Sequence, residues 1–182
     1  MTTMTRGVRR FALTAHVLAS VGWFGAVAVF LGLAVAGLTS PDAQLVRAAY
    51  LAMEVTGWAV IVPLAIASLL TGLISSLGTA WGLVRHWWVV AKLLITVPST
   101  ILLLVHMPPI SFVASVAAAT TLSSADHAQL RIQFVAQAAA ALLVLLVATT
   151  LSVYKPRGRT RWGRRQRDQQ RALSSRRWAD HR

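Results

Sequence analysis

Three residues that could do chemistry share one face of a long apolar segment. Lys92, Ser99 and His106 stand seven residues apart within Trp87–His106, so a helix places them on one side, with Thr96 beside them. A run of about 20 apolar residues can cross a bilayer. An ionisable group at membrane depth costs roughly 2.5–3.5 kcal/mol, so it usually has a partner or a purpose. The segment therefore predicts a membrane protein with a polar interior.

His16 is the best single ligand candidate in the chain. A neutral imidazole inside a helix bundle can bind haem iron or a metal, although it can equally form a hydrogen bond to a neighbouring helix. Lys92 should lie at a similar depth, so we expect the two side chains to be neighbours. Lys92 could pair with a cofactor carboxylate such as a haem propionate, bind an anionic substrate, or extend towards lipid headgroups.

A second group of candidates is expected towards the opposite side of the membrane. Glu54 with His106 or His127 could bind a divalent cation, since carboxylate and imidazole suit zinc or copper. A structural ion pair between Glu54 and Arg131 is the alternative that we favour, because an intramembrane carboxylate usually finds a basic partner. His16 and His106 should be roughly 20 Å apart along the membrane normal, too far to ligate one haem.

Composition and hydropathy define the fold class. Of the 182 residues, 56% are hydrophobic and 13% are charged, against about 25% charged in a soluble domain. The chain has no cysteine, which excludes disulfides and thiolate metal sites. Apolar segments long enough to span a bilayer predict an all-α protein, a bundle of four transmembrane helices at Phe11–Leu38, Leu51–Leu77, Trp87–His106 and Ala128–Tyr154.

The distribution of charge predicts the orientation. The net charge of +13 comes almost wholly from the two ends, and the positive-inside rule then places both termini in the cytoplasm. We expect a multi-pass protein of the bacterial cell membrane, with a cytoplasmic N-terminus (1–10), a transmembrane domain (11–154) and a basic cytoplasmic tail (155–182). Loops are expected at 39–49, 78–86 and 107–126, the last being the longest.

The tail is the remaining cluster of charged residues. Its Arg- and Gln-rich composition with few aliphatic residues predicts disorder or a helix on the membrane surface rather than a packed domain. Anionic lipid is the expected partner, since each basic residue near the membrane surface contributes about 1 kcal/mol; no nucleic-acid partner is expected. The lipid-binding candidates are Arg157, Arg159, Arg161, Arg164 and Arg165.

Each predicted helix also carries one polar face, and these faces should converge inside the bundle. On the second helix, polar, small and aliphatic residues repeat every seven positions along one face, which we call the heptad seam. Small residues along the first helix should allow close approach of its neighbours. The faces are Glu54, Gly57, Ile61, Leu64, Ser68, Thr71 and Ser75 on the second helix; His16, Ser20 and Trp23 on the first; and Gln129, Gln133 and Gln137 on the fourth.

Two segments resemble those of known membrane proteins. HVLASVGWFGA (16–26) and RHWWVVAKLLIT (85–96), followed by LLLVHMPPI, resemble a family of bacterial four-helix membrane proteins with a domain of unknown function. More distantly they are similar to CopD-type copper-resistance proteins and HemJ-type protoporphyrinogen oxidases. The resemblance implies that His16 is a haem ligand and that Lys92 is a site residue, whereas the chain lacks the methionine clusters of copper-handling proteins.

Three hypotheses on function follow. The leading one is a membrane protein that binds haem b through His16, with Lys92 in the same site. An enzymatic activity is not favoured; if the protein is an enzyme, we expect a membrane oxidoreductase. The second is a small transporter or an ion- or metal-handling protein that uses Glu54, His106 and Arg131. The third is an accessory subunit whose helix faces pack in a homo- or hetero-oligomer.

Overall fold

The described part of the chain is entirely helical. The computed structural model describes residues 5–77, 87–119 and 127–154, and no strand occurs in these ranges. The N-terminal four residues, the predicted turn at 78–86 and the basic tail with its five arginine candidates lie outside the described residues. The elements are α1 (Arg6–Thr39), α2 (Ala43–Thr56), a π-helical segment (Gly57–Ile61), α3 (Val62–Leu77), α4 (Trp87–Ala119) and α5 (Ala128–Tyr154).

Over these ranges the helices form an antiparallel bundle. The segment from Ala43 to Leu77 is continuous, and we refer to it as α2–α3. α1 packs against α2–α3 and α5, and α4 packs against the same two, most closely against α2, so α1 and α4 are diagonal. We call the end of the bundle where α1 and α4 begin the proximal end, and the end where α2 and α5 begin the distal end.

The described helices include four that are long and apolar enough to cross a membrane: α1, α2–α3, α4 and α5. At about 1.5 Å per residue, the longest extend for about 50 Å, against a hydrocarbon core of about 30 Å. Their outward faces are rich in exposed Val, Leu and Ile side chains. This confirms the predicted helical class and the four apolar segments.

The second helix begins earlier than predicted. We expected a loop over residues 39–49, but α2 starts at Ala43, so that prediction is wrong for most of its length. The Asp42 side chain accepts a hydrogen bond of 2.8 Å from the Gln44 backbone N–H, which is the usual role of an N-capping carboxylate. An aspartate directly after Pro41 is a helix-start pattern, and it allows only a short link between α1 and α2.

The third apolar helix is also longer than predicted. We expected it to end at His106 and a loop to follow over 107–126, but α4 continues to Ala119, with Pro98, Pro108 and Pro109 inside it. A proline keeps a helical φ and removes one backbone hydrogen bond, a loss that helices in apolar surroundings tolerate when neighbouring groups compensate. His106 therefore lies in the interior of α4 and not at its end.

Small residues permit close helix approach at two positions of α1. A Cβ on Gly22 would meet the Leu64 side chain at 3.2 Å, and a Cβ on Gly37 would meet the Tyr50 ring at 3.0 Å. Around Gly25 and Gly32 nothing lies within 4 Å of such a Cβ. The predicted small-residue packing face is thus confirmed at Gly22, whereas Gly25 and Gly32 face outwards. The close contact at Gly37 was not part of that prediction.

The contact at Gly37 should be intolerant of substitution. In Gly37→Val the new side chain would overlap the Tyr50 ring, which is 1% exposed, and overpacking of this kind costs about 1–3 kcal/mol. We expect a lower melting temperature of the detergent-purified protein. The matched control is Gly32→Val, where the space is open and Val is the better helix former. Equal melting temperatures for the two variants would contradict this packing.

Candidate functional site

His16 joins α1 to α3 near the proximal end. Its Nδ1–H donates to the Ser68 carbonyl oxygen at 3.0 Å and lies 3.3 Å from Thr71 Oγ1. One turn along α1, Ser20 Oγ is 2.8 Å from Ser68 Oγ. Ser68 and Thr71 belong to the predicted heptad seam, so the structure confirms that this seam meets the polar face of α1. The imidazole acts here as an interhelical hydrogen-bond donor.

Lys92 joins α4 to α5 at the same end of the bundle. Its Nζ donates to Ser152 Oγ at 2.6 Å, and Ser152 in turn donates to the Ala148 carbonyl oxygen at 2.9 Å. Lys92 and His16 each form their hydrogen bonds with a different helix. Their predicted neighbourhood stays a prediction.

Arg131 is the most deeply buried charged side chain among the described residues, with 2% of its surface exposed. Its Nε donates to the Tyr50 hydroxyl at 2.9 Å, and its Nη2 donates to the Gly37 carbonyl oxygen. Its guanidinium carbon also lies 5.6 Å from the Tyr50 ring centroid. We call Arg131, Tyr50 and Gly37 the distal clamp, since they join α5, α2 and α1.

The favoured ion pair between Glu54 and Arg131 is not formed. Both side chains are described, and no salt bridge joins them; Arg131 bonds the Tyr50 hydroxyl and the Gly37 carbonyl instead. Glu54 is half-buried, one turn before the π-helical segment. Among the described residues, a phenol and a carbonyl oxygen accept from Arg131, and Glu54 does not.

A cavity of about 200 Å³ lies between the four helices. Its walls come from α1, the π-helical segment, α4 and α5, and they are mainly aliphatic and aromatic. The polar or aromatic side chains with hydrogen-bonding groups in these walls are those of Trp23, Ser99, His106 and Gln137. A largely apolar cavity with a few converging polar groups is the usual form of a small-molecule site.

Two interrupted helices face this cavity. Gly57 and Ile61, the first and last residues of the π-helical segment, contribute to one wall, and π-helical turns are frequent at functional sites. The adjacent wall includes the part of α4 between Pro98 and Pro108. Gly57 also lets α4 approach, because a Cβ there would lie 2.6 Å from Met107 Cε. The irregular backbone of the bundle is therefore concentrated around the cavity.

No third ligand accompanies the residues of the predicted metal site in the described part of the chain. Across residues 5–77, 87–119 and 127–154, no three His, Asp or Glu side chains come together. His106 lines the cavity and uses its Nδ1–H to donate to the Leu102 carbonyl oxygen at 2.7 Å, whereas Glu54 does not line the cavity. His127, packed edge-on against Phe112 at 5.5 Å, does not line it either. Binding of a metal by Glu54 and His106 stays a prediction.

The residues present do not fit a haem in this cavity. Neither His16 nor Lys92 belongs to its walls, and the Cε1 edge of the His16 ring packs on the backbone of Gly72, 3.1 Å from the position of a Cβ there. A volume of about 200 Å³ is also small for a macrocycle, since an apolar cavity of about 150 Å³ binds benzene. Haem binding through His16 stays a prediction.

Sequence reasoning placed Trp23 only on the polar face of the first helix, and it gave Tyr50 no role in a site. Gln137 was predicted to point inwards together with Gln129 and Gln133, but those two are exposed. That part of the prediction is wrong, because four-residue spacing turns about 40° around a helix at each step. No pattern in the sequence predicts the cavity itself.

The fold and the site define the class: an all-helical chain with four long apolar helices around a central cavity, as far as the structure describes it. Comparisons with protein-family models, with curated proteins and with solved structures find no match to this chain. The resemblance carried by the segments around His16 and Lys92 therefore stays an expectation, and function must be argued from the site.

The distal clamp should contribute measurably to stability. In Tyr50→Phe the buried Arg131 Nε loses its acceptor, and a buried donor without a partner costs about 1–3 kcal/mol. We expect a lower melting temperature in detergent. Tyr154→Phe is the matched control, because Tyr154 is 80% exposed and should change stability little. A Tyr50→Phe variant as stable as the control would show that the clamp contributes nothing.

Proposed function

We propose that this chain is a multi-pass membrane protein that binds a small, mainly apolar molecule at the centre of its helix bundle. The observation that carries the proposal is the cavity of about 200 Å³ lined by α1, the π-helical segment, α4 and α5. A mainly apolar cavity with few polar groups is suited to a ligand that partitions into the bilayer.

The membrane part of the proposal is supported by the surface of the bundle. Large apolar side chains are exposed along the helices, among them Leu18, Val21, Leu94, Leu102 and Leu143. Soluble monomers rarely expose contiguous apolar patches of such extent, whereas lipid is a suitable solvent for them. Between Arg10 and Asp42 the first helix has no charged residue, as a spanning helix requires.

The orientation with both termini in the cytoplasm is proposed from the charges. The basic residues Arg6, Arg9 and Arg10 precede the apolar part of α1, and the arginine-rich segment after Tyr154 follows α5. The distal end carries fewer basic residues, which is the asymmetry that the positive-inside rule relates to orientation. The proximal end of the bundle is then the cytoplasmic side of a bacterial cell membrane.

Transport is the activity that this arrangement favours over a purely structural role. Secondary transporters bind substrates near the bilayer midplane, where interrupted helices meet. The π-helical segment at Gly57–Ile61 and the part of α4 between Pro98 and Pro108 lie in just such a position around the cavity. The predicted use of Glu54 and Arg131 in ion handling has no comparable support, since they do not line the cavity.

The topology can be tested by labelling single cysteines, because the chain has none of its own. In intact cells, Gln44→Cys at the distal end should react with a membrane-impermeant maleimide, since the proposed orientation exposes it outside. Ser174→Cys in the tail should react only after the cells are opened. Labelling of Ser174→Cys in intact cells would overturn the orientation.

Ligand binding can be tested with an apolar probe. We expect 4-ethyltoluene to raise the melting temperature of the detergent-purified protein, since a ligand at several times its Kd stabilises by about 1 kcal/mol. Ala141→Phe fills the cavity from α5 and should abolish the shift, whereas Ala136→Phe, on the exposed face of the same helix, should retain it. A shift that survives in Ala141→Phe, or no shift in the unsubstituted protein, would contradict binding in the cavity.

A further inference from the structure

The polar groups in the cavity wall are incompletely satisfied by the protein. Trp23 is 5% exposed, yet its indole N–H donates to none of the described residues. The Gln137 amide, which can donate and accept, likewise has no hydrogen bond with any part of the described chain. Both residues belong to the cavity lining, so a ligand in the cavity can supply the missing partners; an indole N–H in apolar surroundings normally has an acceptor.

His106 adds a hydrogen-bond acceptor to the same wall. Its Nδ1 carries the proton that is donated to the Leu102 carbonyl oxygen at 2.7 Å, so in the neutral ring Nε2 has a free lone pair. No described residue donates to this Nε2. Together with Gln137 and Trp23, the wall therefore offers both donors and an acceptor to a ligand.

The cavity wall has no charged side chain to neutralise an ionic ligand. None of the Lys, Arg, Asp or Glu residues in the described ranges belongs to its lining, and Arg131 is bound in the distal clamp. A buried ion without a partner would be strongly disfavoured. The ligand chemistry is therefore neutral, with a polar group that both donates and accepts, as a hydroxyl or a primary amide does.

The cavity reaches the outer surface of the bundle between α4 and α5. Leu102 on α4 is 56% exposed and Ala140 on α5 is exposed, although both contribute to the lining. In the proposed membrane orientation this opening faces lipid. A ligand that enters there must be soluble in the bilayer, which agrees with an apolar body.

We infer that the cavity binds a neutral amphiphilic molecule whose hydroxyl- or amide-like head contacts Gln137, His106 and Trp23. Its size is about ten non-hydrogen atoms, scaled from the benzene-binding cavity of about 150 Å³. The inference rests on the proposed function and deepens it by naming the ligand class. A lipid acyl chain is the competing occupant, and it would leave all three polar groups unsatisfied.

Two probes of equal shape test the head group. 4-Ethylphenol and 4-ethyltoluene differ only by a hydroxyl in place of a methyl, and each is titrated into detergent-purified protein at matched concentrations in the micelle. We expect 4-ethylphenol to bind roughly tenfold more tightly, the usual gain from one hydrogen bond to a buried group. Gln137→Met, of similar volume, should bring the two affinities close together, and His106→Phe should reduce their difference.

The control and the contrary outcomes separate the two proposals. Gln133→Met, one turn away on the exposed face of α5, should preserve the preference for 4-ethylphenol. Equal binding of the two probes to the unsubstituted protein, or a preference that persists in Gln137→Met, would overturn the head-group inference and leave cavity binding intact. If neither probe binds, both the head-group inference and the proposed function fail. Tighter binding of 4-ethyltoluene to Gln137→Met than to the unsubstituted protein would identify an acyl-chain groove.

Discussion

The distal clamp sets the register of three helices, and the rest of the bundle depends on it. Arg131 contributes from α5, Tyr50 from α2 and Gly37 from α1, so no one of these helices can slide without breaking a buried hydrogen bond. The guanidinium suits this task because it has several donors in a rigid plane. Gly37 is needed because any larger residue would displace the Tyr50 ring. At the proximal end, His16 joins α1 to α3 and Lys92 joins α4 to α5.

Between the clamp and these proximal contacts, the helices are held mainly by apolar packing, and it is there that the cavity lies. Regular α-helices with large side chains would close such a space at normal packing density. The π-helical segment displaces the side chains that follow it in α2–α3, and the prolines of α4 remove backbone hydrogen bonds in the neighbouring wall. Polar contacts at both ends of the bundle thus allow an irregular middle, which is the combination that a binding site requires.

Much of this arrangement could be predicted from the sequence where the pattern had a period of seven. Residues three and seven apart lie on one helix face, and Ser68 and Thr71 of the heptad seam both meet His16. The four-residue spacing of the glutamines drifts faster, and only Gln137 reached the interior. The end of α4 was mispredicted because Met-Pro-Pro was taken as the start of a loop. The role of Tyr50 could not be predicted, because it depends on the register between α2 and α5, which local sequence does not encode.

The histidines show why residue type alone is a weak guide to the site in this bundle. His16 was the preferred ligand candidate, yet its Nδ1 joins two helices and it lies away from the cavity. His106 donates its Nδ1 proton within its own helix, four residues back, so it contributes nothing to interhelical packing through that nitrogen. A polar side chain that holds no other helix and still lies in an apolar interior costs stability without a structural return. By that reasoning His106, rather than His16, is the histidine whose presence calls for a functional explanation.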